Sequence, residues 1–152
     1  MSWITLSAAD LKSAMTSKEV VDFGRSVVDV DLADRVVPIL ADVVQEVRGY
    51  IASWTQNTLS ADPAKIPASF KAKALHLARW RVLTTIPGYQ PGEARKAEWE
   101  AANTFFRDVA RGVIRPEPAD DAVASEVPSE KPAGAEWTAP PKRTGRDRMN
   151  GL

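Results

Sequence analysis

The sequence predicts an all-α protein: a small helical bundle with one long central helix, two further main helices and short N-terminal helices, followed by an extended C-terminal arm. Three observations carry that expectation. Apolar residues recur every three or four positions across the first two thirds of the chain, no run alternates in the manner of a strand, and six of the eleven prolines fall after Arg115. The predicted division is therefore a helical domain over residues 1–114 and a Pro-rich arm over 115–152.

The elements follow in order. Ser7 with Asp10 three positions on reads as an N-cap whose carboxylate suits the free amides and the positive end of a first short helix. Thr16 with Glu19 repeats the pattern as a capping box, opening a second short helix through Phe23 that Gly24 closes. The stretch VVDVDL reads either as a brief strand or as a linker. From Leu32 to Trp54 the periodicity is strongest: Leu32, Val36, Leu40, Val43, Val47, Ile51 and Trp54 fill one stripe, with Arg35, Asp42, Gln45, Glu46 and Arg48 opposite. Pro38 falls on the wet side, where water can replace the lost amide bond, and predicts a kink or a helix start.

A loop containing Asp62-Pro63 and ending at Pro67 leads to a helix from about Ala68 to Thr85. Here Phe70, Leu75, Leu77, Trp80, Val82 and Leu83 spread round the whole wheel, with Lys71, Lys73, His76, Arg79 and Arg81 between them. A helix apolar on every side is surrounded by protein. Two arrangements satisfy that: a central position within its own domain, or one side packed home and another against a neighbouring subunit with the basic stems reaching to the rim. Lys71, Lys73, His76, Arg79, Trp80 and Arg81 are accordingly the candidates for a subunit interface or for a surface facing a channel. After the turn PGYQPG, a last helix from about Glu93 to Arg111 turns Ala97, Trp99, Ala101, Ala102, Phe105, Phe106 and Val109 inward and stops at Gly112.

Composition narrows the chemistry. The 152 residues are 44% apolar and 26% charged with zero formal net charge, so the chain has material for one core and no global attraction to nucleic acid or anionic lipid. With no cysteine, disulfides, thiolate nucleophiles and cysteine zinc sites are excluded. The N-terminus lacks the basic start and apolar run of a signal peptide, and no window reaches the roughly 18 apolar residues of a membrane span, so no membrane partner is expected. His76 is the only histidine, which excludes a two-histidine metal site; a packing or surface role, or an interface contact, suits it. Asp29, Asp31 and Asp34, like Asp120 and Asp121, lack the loop glycine and distal glutamate of a calcium hand. No phosphate loop, dinucleotide fingerprint or nucleophile elbow is present, so neither catalysis nor a cofactor is expected. Between Pro63 and Gly92 there is no acidic residue, and this local positive field reads either as a solvated rim or as a non-specific contact for DNA phosphate.

The arm has a polarity of its own. Up to Glu136 it sets Arg115 and Lys131 against six carboxylates, whereas from Trp137 it sets Lys142, Arg143, Arg146 and Arg148 against Asp147 alone. Few apolar residues and many prolines leave too little burial to offset the ~1–2 kcal/mol per residue of backbone ordering, so the arm is not expected to fold alone. Its tip adds Trp137, Met149 and Leu152 to the arginines, residue types that anchor protein interfaces. The predicted partner-binding residues are Trp137, Arg143, Arg146, Arg148, Met149 and Leu152.

The segments ITLSAADL, VVQEVRGYIASW, IPASFKAKALHLARWRV and WEAANTFFRDVARGVI, with the closing RDRMNGL, together resemble the Mu-like phage head–tail adaptor (head-completion) family. The similarity runs over the domain and returns at the terminus; the long Pro-rich spacer and Pro38 depart from it. The resemblance implies a structural virion protein without catalysis, found in the host cytoplasm during assembly and then at the virion neck. Such proteins form a homo-oligomeric ring, commonly a dodecamer, between the portal protein and the next connector or tail protein. It also implies that the Ala68–Thr85 helix packs the ring and that the arm grips the portal or an adjacent subunit. The competing expectations are a small nucleic-acid-associated or regulatory helical protein with a flexible tail, and an enzyme whose site lacks a recognised motif.

Overall fold

A computed structural model describes residues 2–26 and 32–122 and is all-α in its main architecture. In chain order it contains β1 (Trp3–Thr5), α1 (Ala8–Ala14), α2 (Ser17–Ser26), α3 (Leu32–Ala52), β2 (Lys65–Pro67), a 3₁₀ turn (Ala68–Phe70), α4 (Lys71–Thr84) and α5 (Glu93–Ala110).

Both N-terminal caps form as their residue types dictate. The Ser7 amide donates to Asp10 Oδ2 at 3.0 Å and the Asp10 amide to Ser7 Oγ at 3.2 Å, opening α1. The Thr16 amide donates to Glu19 Oε2 at 2.7 Å and the Glu19 amide to Thr16 Oγ1 at 3.3 Å, opening α2. Gly24 does not close α2, which runs on to Ser26; its φ is not positive, so the helical conformation simply continues through it. The strand-or-linker segment 27–31 lies outside the described residues.

Helix α3 buries Val36, Leu40, Val43, Val44, Val47 and Ile51, and Pro38 is exposed inside it. Helix α4 takes the central position. It packs against α1, α2, α3 and α5, burying Ala74, Leu75, Leu77, Ala78, Arg79, Val82 and Leu83. Its all-round apolar character is thus satisfied within one chain. Helix α5 contributes Ala102, Phe106 and Val109, whereas Ala97 and Ala101, expected inward, are exposed. Alanine is small enough to sit on either side of a helix and carries little directional signal.

The end of α5 is a Schellman motif. Gly112, at φ 74°, donates to the Val109 carbonyl at 3.0 Å, and Val113 donates to that of Asp108 at 2.9 Å. A Cβ on Gly112 would lie 2.4 Å from the Trp54 ring, so both conformation and contact require glycine there.

Two features were not expected. β1 and β2 pair antiparallel, with Ile4 opposite Ile66, fastening the N-terminus to the loop before α4. Three residues are too few to show alternation above noise. The second concerns the arm boundary: residues 115–122 lie against the domain. The Trp3 indole N–H donates to the Glu117 carbonyl at 3.1 Å, Ala119 is buried, and Ala122 bridges Ser60. Ser60 Oγ, itself buried, donates to Asp121 Oδ2 at 2.8 Å. Partners from β1 and from the loop between α3 and β2 supply the burial that the segment's own composition lacks.

Candidate interaction surfaces on the fourth helix and at the arm root

The six residues singled out on α4 separate into two groups. Lys71, Arg79 and Arg81 are engaged by carboxylates of other elements. Lys71 Nζ reaches Asp10 Oδ1 of α1 at 2.6 Å, Arg81 pairs with Glu46 of α3, and Arg79 pairs with Glu98 of α5. The sequence showed no acidic residue between Pro63 and Gly92, but the fold brings three carboxylates from outside that window. The local positive field is largely cancelled.

Arg79 is the most committed of the three, since its side chain is only 7% exposed. Its Nη1 also donates to the Ala14 carbonyl at 2.6 Å, at the end of α1. Arg95 donates through Nε to Glu19 Oε1 at 2.8 Å and through Nη1 to Glu98 Oε2 at 3.1 Å. A chain of alternating charge therefore runs Glu19, Arg95, Glu98, Arg79 and closes on α1. Burial pushes the Glu19 carboxyl up, but the Thr16 amide and Arg95 outweigh it and hold the group below the usual glutamate range. Glu98 behaves alike: burial raises it, and Arg95 with Arg79 brings it below the usual range. These residues fix the helices to one another.

Lys73, His76 and Trp80 remain, spaced by three and four residues and so on one face of α4. All three are half-buried, and Trp80 stacks on Trp99 of α5 with ring centroids 5.2 Å apart. Lys73 forms no ion pair among the described residues. His76 Nδ1 is buried without a hydrogen-bond partner. Burial holds the imidazole below its ordinary value, and the neighbouring Arg79 and Lys73 charges act in the same direction against Glu98. The arrangement is amphipathic and aromatic with one free cation, a composition suited to a protein contact.

The predicted partner-binding residues Trp137, Arg143, Arg146, Arg148, Met149 and Leu152 lie outside the described residues. What the structure fixes is the root from which their segment leaves, at Ala122 beside Ser60. Sequence reasoning passed over a residue close to that root. Arg48, placed on the wet side of α3, instead donates through Nη1 to the carbonyls of Asp62 and Lys65 at 3.0 and 2.9 Å and through Nη2 to that of Ser60 at 2.9 Å. Its guanidinium also lies 5.8 Å from the Trp3 ring centroid. A long basic side chain facing an Asp-Pro loop carries no periodic signal that would have marked it.

Among the described residues no group of three or more His, Asp and Glu side chains could hold a metal ion, and no helix is long and apolar enough to cross a membrane. A cleft between the start of α1 and the outer side of α3 has a volume of about 510 Å³. Its lining, including Leu6, Val37, Leu40 and Val44, carries no acid, base or histidine. Fold and surfaces together define a small all-α helical domain. No family model, curated protein or solved structure matches the chain.

The carboxylates predict acid sensitivity. Asp10, hydrogen-bonded by Lys71 and Ser7, is lowered from the ordinary 3.8 to about 2. The unfolded chain therefore binds this proton more readily than the native one, so the contribution is complete above pH 3.8 and is lost as the pH falls to about 2. Helicity followed by circular dichroism through this window should fall for the native chain. Lys71→Met should shift the midpoint upward, and an unmoved midpoint would remove Asp10–Lys71 from the account.

Proposed function

We propose that the chain is a structural virion protein, a head–tail adaptor that forms a ring between the portal and the next connector or tail component. In this reading the folded domains assemble side by side, the Lys73, His76 and Trp80 face with Trp99 meets a neighbouring subunit, and the arm docks on the portal or on that neighbour. The observation that carries the reading is the pairing of a compact contact-making domain with a root that starts the arm from a fixed point. The basic, anchor-bearing tip and the resemblance of the closing RDRMNGL support it. Many tips gripping at once supply strength through effective concentration rather than through any single contact.

The internal ion pairs of Lys71, Arg79 and Arg81 weigh against the nucleic-acid alternative, because charges already neutralised release few counterions from DNA. Deleting Gly145–Leu152 should leave the circular dichroism of the domain unchanged and abolish co-sedimentation with portal assemblies. Undiminished attachment would end the role given to the tip. Steeply salt-dependent DNA binding by the intact chain would favour the alternative instead.

A further inference from the structure

The cleft between α1 and α3 lies beside the arm root, and we infer that it receives the chain's own C-terminal tip, residues Trp137–Leu152, folded back onto the same molecule. The lining comes from Thr5, Leu6, Ser7 and Ala8, from Val37, Leu40, Ala41, Val44 and Gln45 at helical spacing, and from Pro63 and Ala64. Val37, on α3, is 57% exposed, one of few large apolar side chains so placed among the described residues. At about 510 Å³, the cleft is in the range of roughly 300–1,000 Å³ that accepts a compact apolar group.

Three observations select the occupant. The first is position. Ala122 bridges Ser60, and Pro63 and Ala64 of the cleft follow within four residues, a span of no more than about 15 Å. The second is length: the chain between Ala122 and Trp137 reaches about 50 Å when extended, several times what the return requires. The third is chemistry. Trp137, Met149 and Leu152 offer apolar groups to the apolar lining, and exposed Asp42, which directly adjoins lining residue Ala41, offers a carboxylate to the cations Lys142, Arg143, Arg146 and Arg148. The acidic, proline-rich spacer between root and tip has the opposite charge and few apolar groups, so its composition suits the cleft less well than that of the tip.

Tethering places the tip at high effective concentration near its own cleft, so a modest intrinsic affinity suffices for occupancy. Under the adaptor reading, this stows the arm until a portal or neighbour offers a better site; the docking itself does not depend on that reading.

Because the chain has no cysteine, introduced pairs report the contact directly. In full-length protein carrying Ala41→Cys and Asn150→Cys, mild oxidation should give an intrachain disulfide about tenfold faster than a control pair with Glu100→Cys on the outer face of α5. The rate should not change on dilution. Adding Val37→Asp, a substitution at an exposed position, should return it to the control rate with helicity unchanged. Trapping no faster than the control, or unaffected by Val37→Asp, would overturn docking in the cleft. Disulfides between chains that diminish on dilution would overturn the intramolecular form and make the occupant a second copy. Portal attachment is not part of this readout, so its outcome and that of the adaptor proposal stay separate.

Discussion

Phe106→Ala is expected to lower the stability of the domain by about 3–5 kcal/mol, close to the whole margin of many small domains. The ring is fully buried on α5, where Tyr50 of α3 stacks on it at 5.9 Å and 15°, while Phe70 and Phe105 meet it edge-on at 5.9 and 5.3 Å. It is the point at which α3, the 3₁₀ turn and α5 share one cluster. Removing it forfeits transfer energy, leaves a cavity between three elements and discards aromatic contacts worth about 0.5–1.5 kcal/mol each beyond area. Urea denaturation should show a lowered midpoint with little change in slope, and the melting temperature should fall by roughly 10–20 °C. Phe106→Leu, which retains most of the volume, should cost about 1–1.5 kcal/mol. Phe105→Ala should cost less than Phe106→Ala because Phe105 is only half-buried. A loss below about 1 kcal/mol for Phe106→Ala would show that the cluster does not organise the bundle.

How much of this could be read from the chain depends on the range of the interaction involved. Caps and periodicity are local, so Ser7 with Asp10, Thr16 with Glu19, the buried stripe of α3 and the stop at Gly112 were all legible. The second function of Gly112, clearance for Trp54 almost sixty positions away, was not. The two-stranded pairing joins residues 3–5 to 65–67, and the root of the arm depends on Trp3 and Ser60. Such partners are distant in sequence and leave no spacing to detect.

The same distinction governs the α4 surface. Counting charges along the helix gave an unbroken positive field, which is correct locally and misleading in space, because Asp10, Glu46 and Glu98 arrive from three other helices. The face formed by Lys73, His76 and Trp80 was contained in the six-residue candidate set but could be separated only once the other three had visible partners. Tertiary ion pairing, rather than periodicity, sorts structural cations from available ones.

Arg48→Met should lower stability by about 3 kcal/mol although the residue lies outside the apolar core. The guanidinium satisfies the carbonyls of Ser60 and Asp62 in the loop between α3 and β2 and that of Lys65 at the start of β2, and methionine keeps much of the stem's packing while leaving those acceptors without their donor. Burial lowers the Arg48 pKa, opposed by the charges of Asp62 and Asp121, so the site tolerates this cation because its hydrogen bonds are made. Arg48→Lys should recover less than half of the loss, since an ammonium lacks the planar fork that spans Ser60, Asp62 and Lys65. The damage should also be directional. The loop carries Ser60, the partner of Asp121 and Ala122, so amide exchange should rise first at residues 60–65 and 119–122 and only later in α4. Faster exchange spread evenly over the domain would mean that Arg48 acts on global stability alone. Exchange confined to the loop, with 119–122 as protected as before, would show that the arm root is held by Trp3 and not through Ser60.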